Sequence, residues 1–226
     1  LAVAKKVFDS RMKNHDTGYE YLIKRQVEKR LLDVLEYHRT NLSGIRILSC
    51  ETVLRAEIKT SFGNAKLKGR ADRIDRRSGA IHILDYKTGS SAGIPDWRKF
   101  DLDSRKDWPK TLKSVQMPFY VLAYTLENEQ VKPADIDASL MLLGKEEIQE
   151  RNLFFPARGL VRRSLGEGGK PADKSGIFSR YKKAVSILIE EILNPGLSFE
   201  PASDETVCEG CLFKTMCGRQ WINSKG

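Results

Sequence analysis

Apolar residues first recur at helical spacing in 19–38. There Ile23, Val27, Leu31, Val34 and His38 fall three or four positions apart with charges between them, which predicts an amphipathic helix. From Ile45 the period changes. Segments 45–58, 66–74 and 80–87 are rich in β-branched and apolar residues and are broken at Phe62-Gly63-Asn64 and at Ser78-Gly79. That pattern predicts a three-stranded antiparallel meander. Residues 88–113 are polar, carry two tryptophans (Trp97 and Trp108) and several basic side chains, and read as a loop-like insertion. A helix is expected over 115–127, with Ser114 as its cap and Pro118 in the first turn, where a missing N–H is harmless. Segments 136–143 and 150–155 predict strands, and the Gly-, Arg- and Lys-rich 157–174 a loop. A last amphipathic helix over 178–193 gathers Phe178, Tyr181, Val185, Leu188, Ile189 and Ile192 on one face, and Asn194-Pro195-Gly196 stops it.

These elements predict an α/β protein: a mixed central sheet begun by the meander, with the helices of 19–38, 115–127 and 178–193 around it. A length of 226 residues and 40% hydrophobic content suit a single domain. It divides into a helical lead-in (1–42), a core (43–195) and a cysteine-bearing end (196–226). The chain begins at Leu1 and reads as a piece of a longer protein. No apolar run approaches the roughly 18 residues of a membrane span. The net charge of +9 favours polyanions such as nucleic acid, although a solvated lysine face gives the same number. Four cysteines, Cys50, Cys208, Cys211 and Cys217, are too few for a secreted disulfide scaffold, so a reducing compartment, the cytoplasm, is expected.

The sharpest local feature is Gly69-Arg70-Ala71-Asp72-Arg73-Ile74-Asp75 followed by Ile83-Leu84-Asp85-Tyr86-Lys87-Thr88-Gly89. A two-residue turn at Ser78-Gly79 sets Asp72 opposite Asp85 and Arg70 opposite Lys87, with Asp85 and Lys87 on one face. Like charges directly opposed across a sheet are destabilising. Two such carboxylates therefore call for a cation, and a hard divalent ion takes carboxylate oxygens. Lys87 would stand beside it, able to orient a water or to offset charge on a phosphate. The plain alternative is a surface hairpin whose charges face water; Ile81 and Ile83, on the same face as Asp85, argue that this face is buried at its start. A register slip of one residue would undo the pairing.

An acidic residue after Gly-x-x, a short hairpin, and Asp-Tyr-Lys-Thr-Gly resemble the active site of RecB-like nucleases of the PD-(D/E)XK superfamily. Those continue with Gln-x-x-x-Tyr on the next helix, and Gln116 and Tyr120 have that spacing. The resemblance is closest to AddB-type nuclease domains and covers about 44–219. It implies a metal-dependent DNA nuclease, an exonuclease of a helicase–nuclease in recombination and repair. Asp72, Asp85 and the Tyr86 carbonyl would bind Mg²⁺ or Mn²⁺, Lys87 would be the catalytic lysine, and Gln116 and Tyr120 would support the site or touch the phosphate. Glu51 stands where relatives often carry a glutamate; an exposed strand-end residue is the other reading.

The upstream Gly-x-x-x-His of such nucleases has no match at His15, His38 or His82. Either it precedes Leu1 or it is lost. A catalytically silent module that binds DNA or scaffolds a helicase partner is therefore the alternative, although an inactive site has no reason to keep opposed carboxylates; a cysteine-rich interaction module with an incidental hairpin fails to explain the three ordered motifs. The triplet Cys208, Cys211 and Cys217 resembles the C-terminal cysteines of AddB-type domains, where an upstream cysteine completes a [4Fe–4S] cluster. Cys50 is the candidate within the chain, a cysteine before Leu1 the other, and free buried thiols the plain alternative. Basic residues of the two loops (Arg98, Lys99, Arg105, Lys106, Lys110 and Lys113; Arg158, Arg162 and Arg163) are candidates for guiding DNA, or are ordinary solvated charge.

Overall fold

The computed structural model describes residues 2–12, 17–41, 44–154, 173–202 and 205–221. Helices α1 (Ala2–Arg11) and α2 (Gly18–Asn41) precede a meander of β1 (Ile45–Thr60), β2 (Gly63–Arg77) and β3 (Ala80–Lys87). Short α3 (Trp108–Thr111), α4 (Gln116–Glu127), β4 (Ile136–Leu142), β5 (Gln149–Asn152) and α5 (Lys174–Leu193) follow. The strands form one sheet in the order β1-β2-β3-β4-β5. β3 and β4 pair in parallel, and every other neighbouring pair is antiparallel. A parallel pair needs a long crossover, and α4 lies in it. The mixed sheet flanked by helices is the expected α/β architecture.

The second turn of the meander is as expected. Arg77 pairs with Ala80, leaving Ser78 (φ 48°) and Gly79 (φ 86°) between them. Positive φ at both central residues is the requirement of the turn whose twist matches flanking strands. The first turn differs. Thr60 pairs with Gly63, so Ser61-Phe62 form it, and both strands are longer than the sequence pattern predicts. The Thr60 side chain fixes this turn by donating to the Gly63 carbonyl (2.5 Å) and accepting from the Phe62 N–H (3.2 Å). The Ser61 N–H at the tip donates to the Glu190 carboxylate on α5, at 3.0 and 3.2 Å.

β2 pairs with β3 only from Arg73↔Leu84 to Arg77↔Ala80; from there back to Gly63 it pairs with β1 alone. β1 and β2 thus form a two-stranded ribbon projecting past the sheet. On the ribbon's inner face Leu54, Ala56 and Ala71 are buried, with Ile58, Ala65 and Leu67 partly so, in one cluster with residues of α4 and α5. α4 buries Met117, Tyr120, Val121, Leu122 and Ala123. Its first turn holds Pro118, and the Gln116 N–H donates to Ser114 Oγ at 3.2 Å. α5 starts four residues earlier than expected, because Asp173 caps it by accepting from the Gly176 N–H at 2.9 Å. Phe178, Tyr181, Val185 and Ile189 are buried as predicted, but Ile192 is exposed.

One expectation needs correction. The 88–113 insertion is not simply a polar loop. Phe100 and Trp108 are core residues, and both tryptophans use their indole N–H on backbone carbonyls: Trp97 on Phe154 (2.7 Å), Trp108 on Asp101 (3.0 Å). The expected amphipathic helix is α2, and no residue of it is buried. Of the segment 157–174, expected as a loop, residues 157–172 lie outside the described residues, and Asp173 and Lys174 belong to the start of α5.

Gly69 marks the tightest approach of ribbon to helix. A Cβ there would sit 2.6 Å from Phe119 Cε1 and 2.8 Å from Tyr120 Cε1. Gly69→Ala is expected to lower stability by about 1–3 kcal/mol through overpacking, read as a lower urea midpoint at unchanged slope. An unchanged midpoint would contradict this packing.

Candidate active site

Asp72 lies at the point where β2 leaves β3. Beyond Arg73↔Leu84 the ladder is replaced by a side chain: Asp72 Oδ2 accepts from the Tyr86 N–H at 2.6 Å. This holds Asp72 beside Asp85, as the predicted register requires. Asp85 is only 3% exposed. Its Oδ2 lies 2.6 Å from Lys87 Nζ, an ion-pair contact without hydrogen-bond geometry, so that oxygen is buried with no hydrogen-bond partner. Burial raises the Asp85 pKa above the usual carboxylate value; Lys87 opposes the rise and the Asp72 charge adds to it.

Gln116 joins the parts. Its Oε1 accepts from Lys87 Nζ at 2.8 Å, and its Nε2 donates to Asp85 Oδ1 at 2.8 Å and to Tyr120 OH at 2.9 Å. Tyr120 OH in turn donates to the Arg70 carbonyl at 2.5 Å. One amide therefore satisfies both of its donors and its acceptor, and fixes lysine, carboxylate and tyrosine relative to one another. Gln116 and Tyr120 are one helical turn apart on α4, so the Gln-x-x-x-Tyr spacing is what lets both reach the seam.

The opposite face of the same strands is also charged, but there every charge is matched. Strand alternation puts Arg73, Asp75, Arg77, His82 and Tyr86 on it. Asp75 is fully buried and takes Arg73 bidentately, Nε to Oδ1 at 2.6 Å and Nη2 to Oδ2 at 2.8 Å. Arg77 Nη2 reaches Asp75 Oδ2 at 3.0 Å and its Nη1 reaches Glu150 Oε1 at 3.2 Å. His82 Nε2 lies 2.9 Å from Glu150 Oε1, and Tyr37 OH of α2 donates to Glu150 Oε2 at 3.2 Å. Arg73 Nη1 also donates to Tyr86 OH at 3.1 Å. The network thus grips, from behind, the residue whose N–H holds Asp72. Sequence reading missed this grip. Its signal was the alternation of Arg73, Asp75 and Arg77 around apolar Ile74.

A family model of the PD-(D/E)XK nuclease superfamily matches residues 1–218. The chain belongs to that superfamily. Its members are generally nucleases and commonly use Mg²⁺ or Mn²⁺. Among solved structures, the crystal structure of SSO0001 is similar at 16% identity and a TM-score of 0.37, the match covering 95% of this chain and 80% of that one. A search of curated proteins gives no match.

For a PD-(D/E)XK protein the donor set at the seam is apt. A buried carboxylate oxygen without a hydrogen bond, a second carboxylate and a nearby backbone carbonyl are all hard oxygen donors, which suit Mg²⁺ or Mn²⁺. Among the described residues no three of His, Cys, Asp and Glu come together as a metal-holding group, so neither a histidine nor a third acid joins the pair. His82 is buried against Glu150, and burial lowers its pKa. His38 lies with Arg73 and Tyr86 in a cavity of about 480 Å³ under α2, and its Nε2 is buried without a partner. His38, on α2, thus lines this cavity and not the carboxylate pair. His15 lies outside the described residues.

The remaining candidates are dispersed. Glu51 (φ 53°) is exposed and pairs with Arg70 at 3.6 Å. Cys50 is exposed on β1. Cys208 is buried, Cys211 half-buried and Cys217 exposed, and Arg219 Nη1 lies 3.2 Å from Cys208 Sγ. Arg105 is bound to Glu191 (Nη2 to Oε2, 2.8 Å) and stacks over Trp108, so it braces the insertion against α5. Lys110 and Lys113 are exposed. Arg158, Arg162 and Arg163 lie outside the described residues, and no described helix is long and apolar enough to cross a membrane.

Removing Asp75 leaves two guanidinium groups short of a buried counter-charge. Asp75→Ala is expected to cost about 3–5 kcal/mol, measured by chemical denaturation; a loss below about 1 kcal/mol would show that water replaces the carboxylate. Desolvation, with Arg73 and Arg77 nearby, lowers the His38 pKa to about 4. A histidine depressed on folding contributes its full stability above its unfolded pKa of about 6.5 and loses it as pH falls from there to about 4. His38→Phe is expected to flatten stability against pH across that window.

Proposed function

We propose that the chain is a metal-dependent nuclease of the RecB-like type that hydrolyses phosphodiester bonds in DNA. The observation that carries the reading is the five-residue constellation at the seam: Asp72 beside Asp85, with Lys87 joined to Asp85 through Gln116, and Gln116 to Tyr120. Asp72, Asp85 and the Tyr86 backbone carbonyl would hold Mg²⁺ or Mn²⁺. Such an ion, when bound, lowers the pKa of a water and neutralises phosphate charge. The chain's own part is electrostatic and positional. The Lys87 ammonium stands at the carboxylate pair, where it offsets charge growing on an attacked phosphate. Gln116 gives that ammonium a hydrogen-bond acceptor beside its ion-pair contact with Asp85 and so fixes its position. Tyr120 anchors Gln116 to the ribbon.

As a RecB-like enzyme it is proposed to work from DNA ends beside a helicase in recombination and repair. A second reading, a silent module that binds DNA or scaffolds a partner, is favoured by one observation: among the described residues no histidine stands at the carboxylate pair.

Linear and covalently closed DNA incubated with Mg²⁺ or Mn²⁺ test both. Metal-dependent loss of linear DNA is expected, falling roughly 10²–10³-fold in Lys87→Ala, with closed circles spared. Mn²⁺ is also expected to raise the melting temperature, and Asp85→Asn to abolish the rise. Cleavage that survives Lys87→Ala would overturn the site. A metal-induced rise without cleavage would move the chain to the silent reading.

A further inference from the structure

Beyond the seam, the strongest segregation of charge on the sheet is on the ribbon's outer face. Inner positions 65, 67, 69 and 71 of β2 are apolar or glycine, whereas the outer positions carry Lys66, Lys68 and Arg70, all exposed. The register sets Arg55 directly across from Lys68, and Lys59 from Asn64, on that same face. Like charges directly opposed in a sheet destabilise it, so Arg55 against Lys68 is a local cost; Glu127 accepts from the Arg55 backbone N–H at 2.8 Å. Acids do little to relieve it. Glu57, across from Lys66, accepts from Asn64 Nδ2 at 2.7 Å, and Glu51 pairs with Arg70. Arg55, Lys59, Lys66 and Lys68 form no ion pair among the described residues. The row is also directed. Side chains on one face repeat every ~6.5–7 Å along a strand, and the residue after Arg70 in that repeat is Asp72.

We infer that this outer face is the track on which a single nucleic-acid strand lies, its phosphates meeting Lys66, Lys68 and Arg70 in turn and its backbone delivered to Asp72. The inference rests on the nuclease reading and adds the path that its substrate takes. A single straight row of cations at the strand repeat is commensurate with one extended phosphate backbone, whereas a duplex presents two diverging ones. The track replaces Arg105 as a basic element near the site, since Arg105 is consumed by Glu191 and Trp108.

The test is binding of fluorescein-labelled oligothymidine by anisotropy in EDTA, where no hydrolysis occurs, alongside a labelled duplex. Lys66→Glu/Lys68→Glu is compared with Lys182→Glu/Lys183→Glu, which makes the same charge change on exposed positions of α5. The track pair is expected to weaken single-strand binding about tenfold or more, and the α5 pair by less than about twofold. In the milder Lys66→Ala/Lys68→Ala, the slope of log Kd against log salt is expected to fall by roughly 0.7 per lysine, with an unchanged melting curve. Equal losses in the two pairs would reduce the effect to net charge and overturn the track, as would a loss confined to the duplex. Wild-type cleavage of DNA with unimpaired binding by the track variants would overturn the track and leave the nuclease reading standing. Failure of the wild type to bind either DNA would remove both.

Discussion

Asp85 is nearly buried, and the two nearest charges pull it in opposite directions: Asp72 repels it and Lys87 attracts it. A carboxylate in that position is tolerable only if its surroundings are held still, because any drift toward Asp72 costs energy steeply at short range. The architecture near the seam serves that need. The tight Ser78-Gly79 turn sets the register, the Tyr86 N–H fixes Asp72, and the Gln116 amide fixes Asp85 and Lys87 together. α4 carries Gln116, and α4 is held by the same core that packs the ribbon's inner face.

The two faces of β2 and β3 treat charge differently. Behind the sheet Arg73, Asp75, Arg77 and Glu150 saturate one another, and Arg73 spends its remaining nitrogen on Tyr86. In front, one Asp85 oxygen has no hydrogen bond and meets only the Lys87 ammonium, at 2.6 Å. Buried polar groups are normally satisfied, and an exception invites an explanation. Here the exception sits among hard oxygen donors in a member of a nuclease superfamily. The saturated rear face gives the unsaturated front a rigid backing, since Tyr86 belongs to both: its ring to the rear network, its N–H to Asp72.

Much of the site was legible in the sequence because it is local. Asp72, Asp85 and Lys87 belong to one hairpin, and a hairpin's register follows from its turn, which Ser78-Gly79 announced. Gln116 and Tyr120 needed only helical spacing. What was not legible depends on distant packing. The first turn was misplaced because Thr60 acts through its hydroxyl on residues of the turn itself, which hydrophobic periodicity does not register. The insertion read as polar because only four of its side chains, Ile94, Phe100, Trp108 and Leu112, are among the buried hydrophobics. Its other residues conceal that anchoring. Arg105 read as a free cation because Glu191 lies far along the chain. That no residue of α2 is buried was not legible either, because periodicity says that a face is apolar, not that anything covers it.

The ribbon's far end has a mechanical side. Beyond Arg73 the two strands have only each other for backbone pairing, and such an element alone would swing like a cantilever about the seam. The bond from the Ser61 N–H to Glu190 pins the free tip to α5, turning the cantilever into a beam supported at both ends. Between its ends, near Gly69, Phe119 and Tyr120 of α4 lie close against it. A displacement there moves Arg70 and, through its carbonyl, the Tyr120 hydroxyl that steadies Gln116. The ribbon is thereby joined to the carboxylate pair by a short chain of hydrogen bonds through Tyr120 and Gln116.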